Sequence, residues 1–224
     1  MKDAIGHPVP REAPTAFSEP SWPAVFSYQL GDFAPPPIVD FSSILEARRS
    51  TRILSRAPFR ELCNLVNFVC GERQSWGREL HRSRRTTPSA GALHPVETVI
   101  VSTRGRQRLF RFNANLRTAE LLRLHSAALA ADGIRQAHSI LPHAAGDFIV
   151  FLADPAKTGA VYDASTSLLW RDAGALMQTL HLAATAYRLG FCPIGGTGHD
   201  LMQAIFGPGS RMQALGMAAV GRPA

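Results

Sequence analysis

The chain has 224 residues, 46% of them hydrophobic, and a formal net charge of +7. That is enough apolar material for a sizeable core, and it excludes a disordered or fibrous chain. No apolar run approaches the roughly 18 residues a membrane helix needs, and no apolar signal core stands near Met1, so a soluble, cytoplasmic protein is predicted.

All the basic residues except Lys2 and Lys157 are arginines. Arginine is the better holder of phosphate, because its planar fork is permanently charged. Arg-rich codon usage gives the same composition, so the bias alone decides nothing. Cys63, Cys70 and Cys192 lack paired metal-ligand spacing, and His138, His143, His181 and His199 lack it too. Reduced, buried thiols are the simplest reading, and no metal site is predicted.

In chain order, residues 1–40 form a Pro-rich arm that cannot stay helical for long. Phe17, Trp22, Phe26, Tyr28 and Phe33 argue that it docks, either on the domain at 41–224 or on a second subunit. A short helix is predicted from Phe41 to Arg49, capped at Ser42 or Ser43, with Ile44, Leu45 and Ala47 inward. Pro58 starts a second helix with the stripe Phe59, Leu62, Cys63, Val66, Val69 and Cys70. Residues 71–87 read as an Arg-rich loop and 88–95, PSAGALHP, as a small-residue turn. Glu97–Thr103 is β-branched and reads as a strand, turned at Arg104–Arg106 into a second strand at Arg108–Phe112. Helices are predicted over Leu116–Ala131 and Ile134–His143, and a buried strand over Asp147–Ala153.

The most regular pattern spans 166–190. Leu168, Leu169, Ala173, Leu176, Met177, Leu180, Ala183, Ala184 and Tyr187 recur at three- and four-residue steps. Gly190 is read as its C-terminal stop. Pro193-Ile194-Gly195-Gly196 follows as a turn whose bare backbone can lie close to something flat. A short helix from His199 to Phe206 and a last strand from Met212 to Val220 complete the chain. Helices in blocks around a hairpin-containing sheet predict an α+β fold.

Four short stretches stand out: Arg48-Arg49-Ser50-Thr51-Arg52, Pro88-Ser89-Ala90-Gly91, Pro193-Ile194-Gly195-Gly196 and Gly221-Arg222. Each alone reads equally as a helix end or a turn. Together with TTPSAGALHPVETVIV, RLFRFNA and WRDAGALMQTLHLAATAYRLGFCPIGG, their order resembles the nitroreductase-like flavoproteins over residues 41–222. The nearest likeness is to the SagB/ThcOx-type dehydrogenase branch, which includes azoline oxidases of peptide natural-product clusters. The resemblance implies a central, mostly antiparallel sheet flanked by helices, in a domain-entwined homodimer that holds FMN at its interface.

It also implies roles. Arg48 and Arg222 match the positions that grip the phosphate, with Ser50 as a hydroxyl donor beside them. Arg52 falls where a cation sits near the flavin N1–C2 edge. Arg49 is open between the fold and the partner subunit. Pro88, Ser89, Ala90 and Gly91 match the loop along the ring. Pro193, Ile194, Gly195 and Gly196 match the segment at the ring's reactive edge, with the Gly195 N–H facing N5.

Two places depart from the pattern. Ala92 stands where many nitroreductases carry Asn, as in the dehydrogenase branch. The adjacent Lys-Tyr pair of azoline oxidases is replaced by separated Lys157 and Tyr162. Tyr162 is read evenly as proton donor or packing residue. His94 is a candidate proton carrier near neutral pH or, with more weight, a structural histidine.

The functions implied are an FMN-dependent dehydrogenase or oxidase acting on a peptide- or carrier-linked heterocycle, an NAD(P)H-dependent nitro- or quinone-type reductase, and an inactive scaffold of a multi-enzyme complex. A small molecule or peptide is the expected substrate, with NAD(P)H a candidate electron donor. Neither nucleic acid nor membrane is an expected partner. The Arg-rich loop 73–85 reads as a solvated face or a basic rim attracting anionic substrates.

Overall fold

The structure is a computed structural model that describes residues 6–37, 40–103 and 107–224. In chain order the elements are β1 (Val9–Pro10), β2 (Ala24–Gln29), α1 (Phe41–Ala47), β3 (Leu54–Ser55), α2 (Phe59–Cys70), β4 (Gln74–Trp76) and β5 (Arg82–Arg84). After a 3₁₀ turn at Ala90–Ala92 come β6 (Val96–Ser102), β7 (Arg108–Asn113), β8 (Thr118–Leu122), α3 (Ala127–Ile140), β9 (Asp147–Ala153), α4 (Pro155–Gly159) and β10 (Tyr162–Asp163). The chain closes with α5 (Thr166–Ala186), β11 (Gly190–Ile194), α6 (His199–Phe206) and β12 (Gln213–Pro223).

The main sheet runs β11-β12-β9-β6-β7-β8-β2, with β3 also on β12, and its ladders are antiparallel. Strand alternation divides its side chains between two layers. Ile149, Phe151, Val96, Ile100 and Phe110 pack with α2 and α5 on one face. Phe148, Val150, Leu152, Val99 and Leu109 pack with α3 and α6 on the other. The β9 strand is therefore buried on both faces, which is why its sequence is an unbroken apolar run rather than an alternation. This is the expected α+β arrangement of an antiparallel sheet with helices on both sides.

Several local expectations are corrected. Leu116–Ala131 is not one helix: only its end, from Ala127, is helical. Its first half turns at Arg117, where φ is 51°, and returns as β8 between β7 and β2. Ladder bonds on both sides override a helix-compatible pattern there. Ser126 caps the true helix, accepting from the Leu129 N–H, and α3 runs on through Ile134 without a break. Asp40, not Ser42 or Ser43, caps α1 by accepting from the Ser43 N–H. Ile44, Leu45 and Ala47 are not inward: α1 has no buried residue, and Phe41, Leu45 and Ile53 are exposed. The 71–87 stretch contains the small β4–β5 hairpin. The turn at 104–106 lies outside the described residues.

The arm docks in part on the domain. Trp22 meets Phe206 edge-on at 4.9 Å, and Phe33 meets Phe68 at 5.4 Å with the Arg73 guanidinium 3.8 Å over its ring. Residues 24–29 add the edge strand β2, leaving Phe26 and Tyr28 exposed. Cys63, Cys70 and Cys192 are free and buried.

Gly190 does not end α5. The left-handed residue there is Arg188, with φ 58°, and Gly190 already belongs to β11. Gly190 pairs with Gly221 across the ladder. A Cβ at Gly190 would collide with Leu54, and one at Gly221 with the Ser55 carbonyl. The two glycines strip one spot of side chains so that residues 51–55 can cross the sheet there. Because a backbone oxygen cannot rotate away, Gly221→Ala should cost about 1–3 kcal/mol, the range for overpacking. A urea midpoint equal to wild type would show that the 51–55 segment is not held against β12.

Candidate active site

The segment 48–52 leaves α1 in extended conformation and lies along β11. Ser50 bridges to Phe191, and the Thr51 N–H donates to the Phe191 carbonyl at 3.1 Å. From the helix layer, the His181 Nε2 bonds the Arg49 carbonyl at 3.1 Å while its ring packs on Phe191. Burial lowers the His181 pKa; the Arg49 carbonyl works against this, and nearby Arg48 adds to it. Burial raises the Cys192 thiol, partly offset by Arg52 and by the Ser50 hydroxyl. Arg48, Ser50 and Arg52 therefore gather where α5 meets β11. Among the described residues, Arg48, Arg49 and Arg52 form no ion pair.

Arg222 sits opposite Ser55 on the same corner. Its Nη2 holds Glu61 Oε1 at 2.6 Å, and both side chains are about half exposed. At the far end of β11, Pro193 and Gly195 face solvent. A Cβ at Gly195 would meet nothing within 4 Å, so this chain's own packing does not require glycine there. Pro193 and Ile194 lie within β11 rather than in a turn, as the edge position of that strand permits.

The 88–91 loop is elsewhere. Asp172, in the N-terminal half of α5, accepts from the Ser89 hydroxyl at 2.6 Å and from the Ala90 N–H at 3.2 Å. The Ser89 oxygen in turn accepts from the His94 N–H at 2.9 Å. Arg82 reaches the Gly91 carbonyl at 2.5 Å, and the Tyr162 hydroxyl lies beside the same glycine. Gly91, Ala92 and His94 all have positive φ. For a non-glycine residue that costs about 1–2 kcal/mol, and it persists only where surrounding bonds over-determine it. Here they do.

Asp172 is not among the residues the sequence motifs mark, although its signal is present. It is a carboxylate beside Ala173 on the inward stripe of a helix, and a buried carboxylate needs donors. Burial raises its pKa, opposed by the Ser89 hydroxyl and then by the Ala90 N–H. From Asp172 to His181, nine residues of helix, is roughly 14 Å along the axis.

The candidate proton carriers are each engaged with other groups. Lys157 is buried, with its Nζ 3.0 Å from Glu19 of the arm. Tyr162 pairs through its backbone with Pro10 and packs beside Leu93 and Val161. The His94 ring is buried, bonding the Ser83 carbonyl through Nε2 at 2.9 Å. Burial, with Arg85 adding to it, lowers its pKa to about 3. His94 is thus neutral at pH 7 and spent on the fold.

Among the described residues there is no grouping of His, Cys, Asp or Glu able to hold a metal ion, and no helix is long and apolar enough to cross a membrane.

With these segments located, comparison with known proteins assigns the family. A model described as the nitroreductase family matches residues 44–222. The chain belongs to the nitroreductase family. It is therefore an oxidoreductase. Solved structures agree on the fold. One from Ralstonia eutropha JMP134, named as a nitroreductase, is 16% identical, covers 94% of this chain and 97% of its own, and superposes with a TM-score of 0.65. Another so named, from Anabaena variabilis, is 21% identical with a TM-score of 0.63, covering 89% of this chain but 42% of its own. A Clostridium acetobutylicum protein named as an NADH oxidase is 17% identical with a TM-score of 0.51, covering 81% and 87%. No curated protein matches the sequence.

The buried neutral His94 gives stability a definite pH dependence. Its folded pKa is depressed below the unfolded value near 6.5, so between those values the unfolded chain binds the extra proton. Stability must therefore rise with pH from the folded value up to about 6.5 and fall on acidification. Between pH 7 and pH 5 this one group should cost about 2 kcal/mol. In His94→Gln, which retains a donor for the Ser83 carbonyl, the loss in unfolding free energy over that interval should shrink by about that amount. An unchanged pH slope would place the ring in solvent.

Proposed function

We propose that this chain is an FMN-dependent oxidoreductase that works as a homodimer. The observation that carries this is the corner where residues 48–52 cross β11: three guanidinium groups with no ion pair among the described residues, on the strand whose far end presents the open backbone of Gly195. FMN is a dianion joined to a flat ring, and those residues fit both parts. Arg48 and Ser50 would hold the phosphate, Arg52 would place positive charge at the ring's electron-accepting edge, and Gly195 would let the ring approach backbone.

Arg222 is engaged with Glu61, but the pair is half exposed, and such pairs are worth about 0–1 kcal/mol. A charge-assisted contact to phosphate is worth about 1.5–3 kcal/mol, so Arg222 can be surrendered to it. Pro88, Ala90 and Gly91 would line the ring through backbone and apolar atoms, because the Ser89 hydroxyl is already committed to Asp172. In a homodimer this loop can come from either copy. The exposed apolar side chains of α1 and Ile53 supply a surface for that pairing. The three buried free thiols suit a reducing cytoplasm.

When bound, FMN supplies the hydride chemistry, and the protein binds, orients and excludes water. Two substrate readings follow from the family branch. The SagB/ThcOx-type likeness points to oxidation of a peptide- or carrier-linked heterocycle. The burial of Lys157 against Glu19, away from an adjacent tyrosine, favours the second reading: an NAD(P)H-dependent reductase of nitro or quinone compounds. Anaerobic addition of NADPH separates them. Bleaching of the flavin band supports the reductase. A band that bleaches only with an azoline peptide supports the dehydrogenase. A protein that stays colourless after reconstitution defeats both.

Arg222→Ala should weaken FMN binding by about 10- to 100-fold, one charged contact's worth. Glu61→Gln, which frees Arg222, should tighten it severalfold. FMN titrations showing neither change would remove Arg222 from the phosphate site.

A further inference from the structure

The β4–β5 hairpin exposes Gln74, Trp76 and Arg84 on one face. Its register pairs Gln74 with Arg84 and Trp76 with Arg82, and strand alternation puts these four side chains on one side. Arg82 ties that side to the 88–94 loop through the Gly91 carbonyl. Ser83, pointing the other way, is buried, and its carbonyl is fixed by His94. Both contacts anchor β5 to the loop. Between it and the loop lies an open groove of about 410 Å³, lined by Gln74, Trp76 and Arg84 on one side and Thr87, Pro88 and Ala92 on the other. That volume suits a small organic ligand.

The side chains that face the groove are an exposed aromatic and a cation. Trp76 is 47% exposed and belongs to none of the core clusters. Arg84 is exposed and forms no ion pair among the described residues. Its charged neighbours Arg73, Arg82 and Arg85 are cations; of the carboxylates, Glu72 is spent on Arg85 and His81, and Glu79 lies exposed in the turn at the other end of the hairpin. An aromatic face beside an unbalanced guanidinium recognises a flat ring carrying negative charge.

We propose that the Gln74–Trp76–Arg84 face of the hairpin is a ligand-binding wall, and that the groove takes a planar aromatic molecule bearing a carboxylate. Trp76 stacks on the ring and Arg84 pairs with the carboxylate. Naming that molecule a substrate rests on the flavin reading above; the binding itself does not.

The test is calorimetric titration of the flavin-loaded protein with 4-nitrobenzoate and with uncharged 4-nitrobenzamide. Arg84→Gln should weaken the acid about tenfold and leave the amide within about twofold. Trp76→Ala should weaken both about fivefold. Flavin content and Tm should match wild type, since neither side chain supports the core. Equal weakening of both probes by Arg84→Gln, or no effect of either substitution, overturns the proposal. So does binding that is present only in flavin-free protein, because the groove would then be the flavin's own site. If the protein takes up no flavin, the functional reading fails on its own, and the same titrations of the full chain still decide the wall.

Discussion

One helix sets the geometry on which the site depends. In α5 the Asp172 carboxylate holds the strained 88–94 loop, and His181, roughly 14 Å further along, holds the segment that carries Arg48 to Arg52. Both contacts are polar groups on the inward side of an otherwise apolar helix. Each is buried and hydrogen-bonded, so neither side chain can relax without losing its partner. The spacing between loop and cationic segment is thereby fixed by the helix rise, not by loop conformation. Helix and sheet packing then transmit this to β11, whose open end presents Gly195.

The charges follow the same logic. Where a cation supports the fold it is paired or bonded: Arg82 with the Gly91 carbonyl, Arg85 with Glu72, Arg111 with Glu97 and Glu120. Arg48, Arg49, Arg52 and Arg84 carry no such pair among the described residues. An excess of unpaired guanidinium at two places near one helix is what binding an anionic cofactor and an anionic ligand would require. The titratable side chains of this region, His94, His181 and Cys192, are all pushed toward their neutral forms by burial.

Much of this was legible in the sequence. The period of α5, the β9 run and the α2 stripe fixed three layers, because long buried elements leave strong patterns. The short cationic and glycine stretches marked the family. Less visible were features decided by distant partners. Leu116–Ala131 has a helix-compatible pattern, but only Ala127–Ala131 is helical, as the start of α3; Thr118–Leu122 is a strand because two neighbouring strands offer ladder bonds. Gly190 looked like a helix stop, yet its lack of a side chain serves the crossing of Leu54 and Thr51. The apolar stripe of α1 predicts an inward face, but none of its residues is buried: Ile44 is half-buried and Leu45 exposed. Asp172 was hidden because one polar residue in an apolar stripe does not reveal which backbone it will hold.

The most direct test of the central claim is hydrogen exchange of the full chain with and without FMN. The account predicts that amides of 48–52, 88–94 and 193–197 slow together on FMN addition, while those of α3 and α6 do not change. Slowing confined to one of these segments, or FMN binding that leaves all of them unchanged, would contradict it.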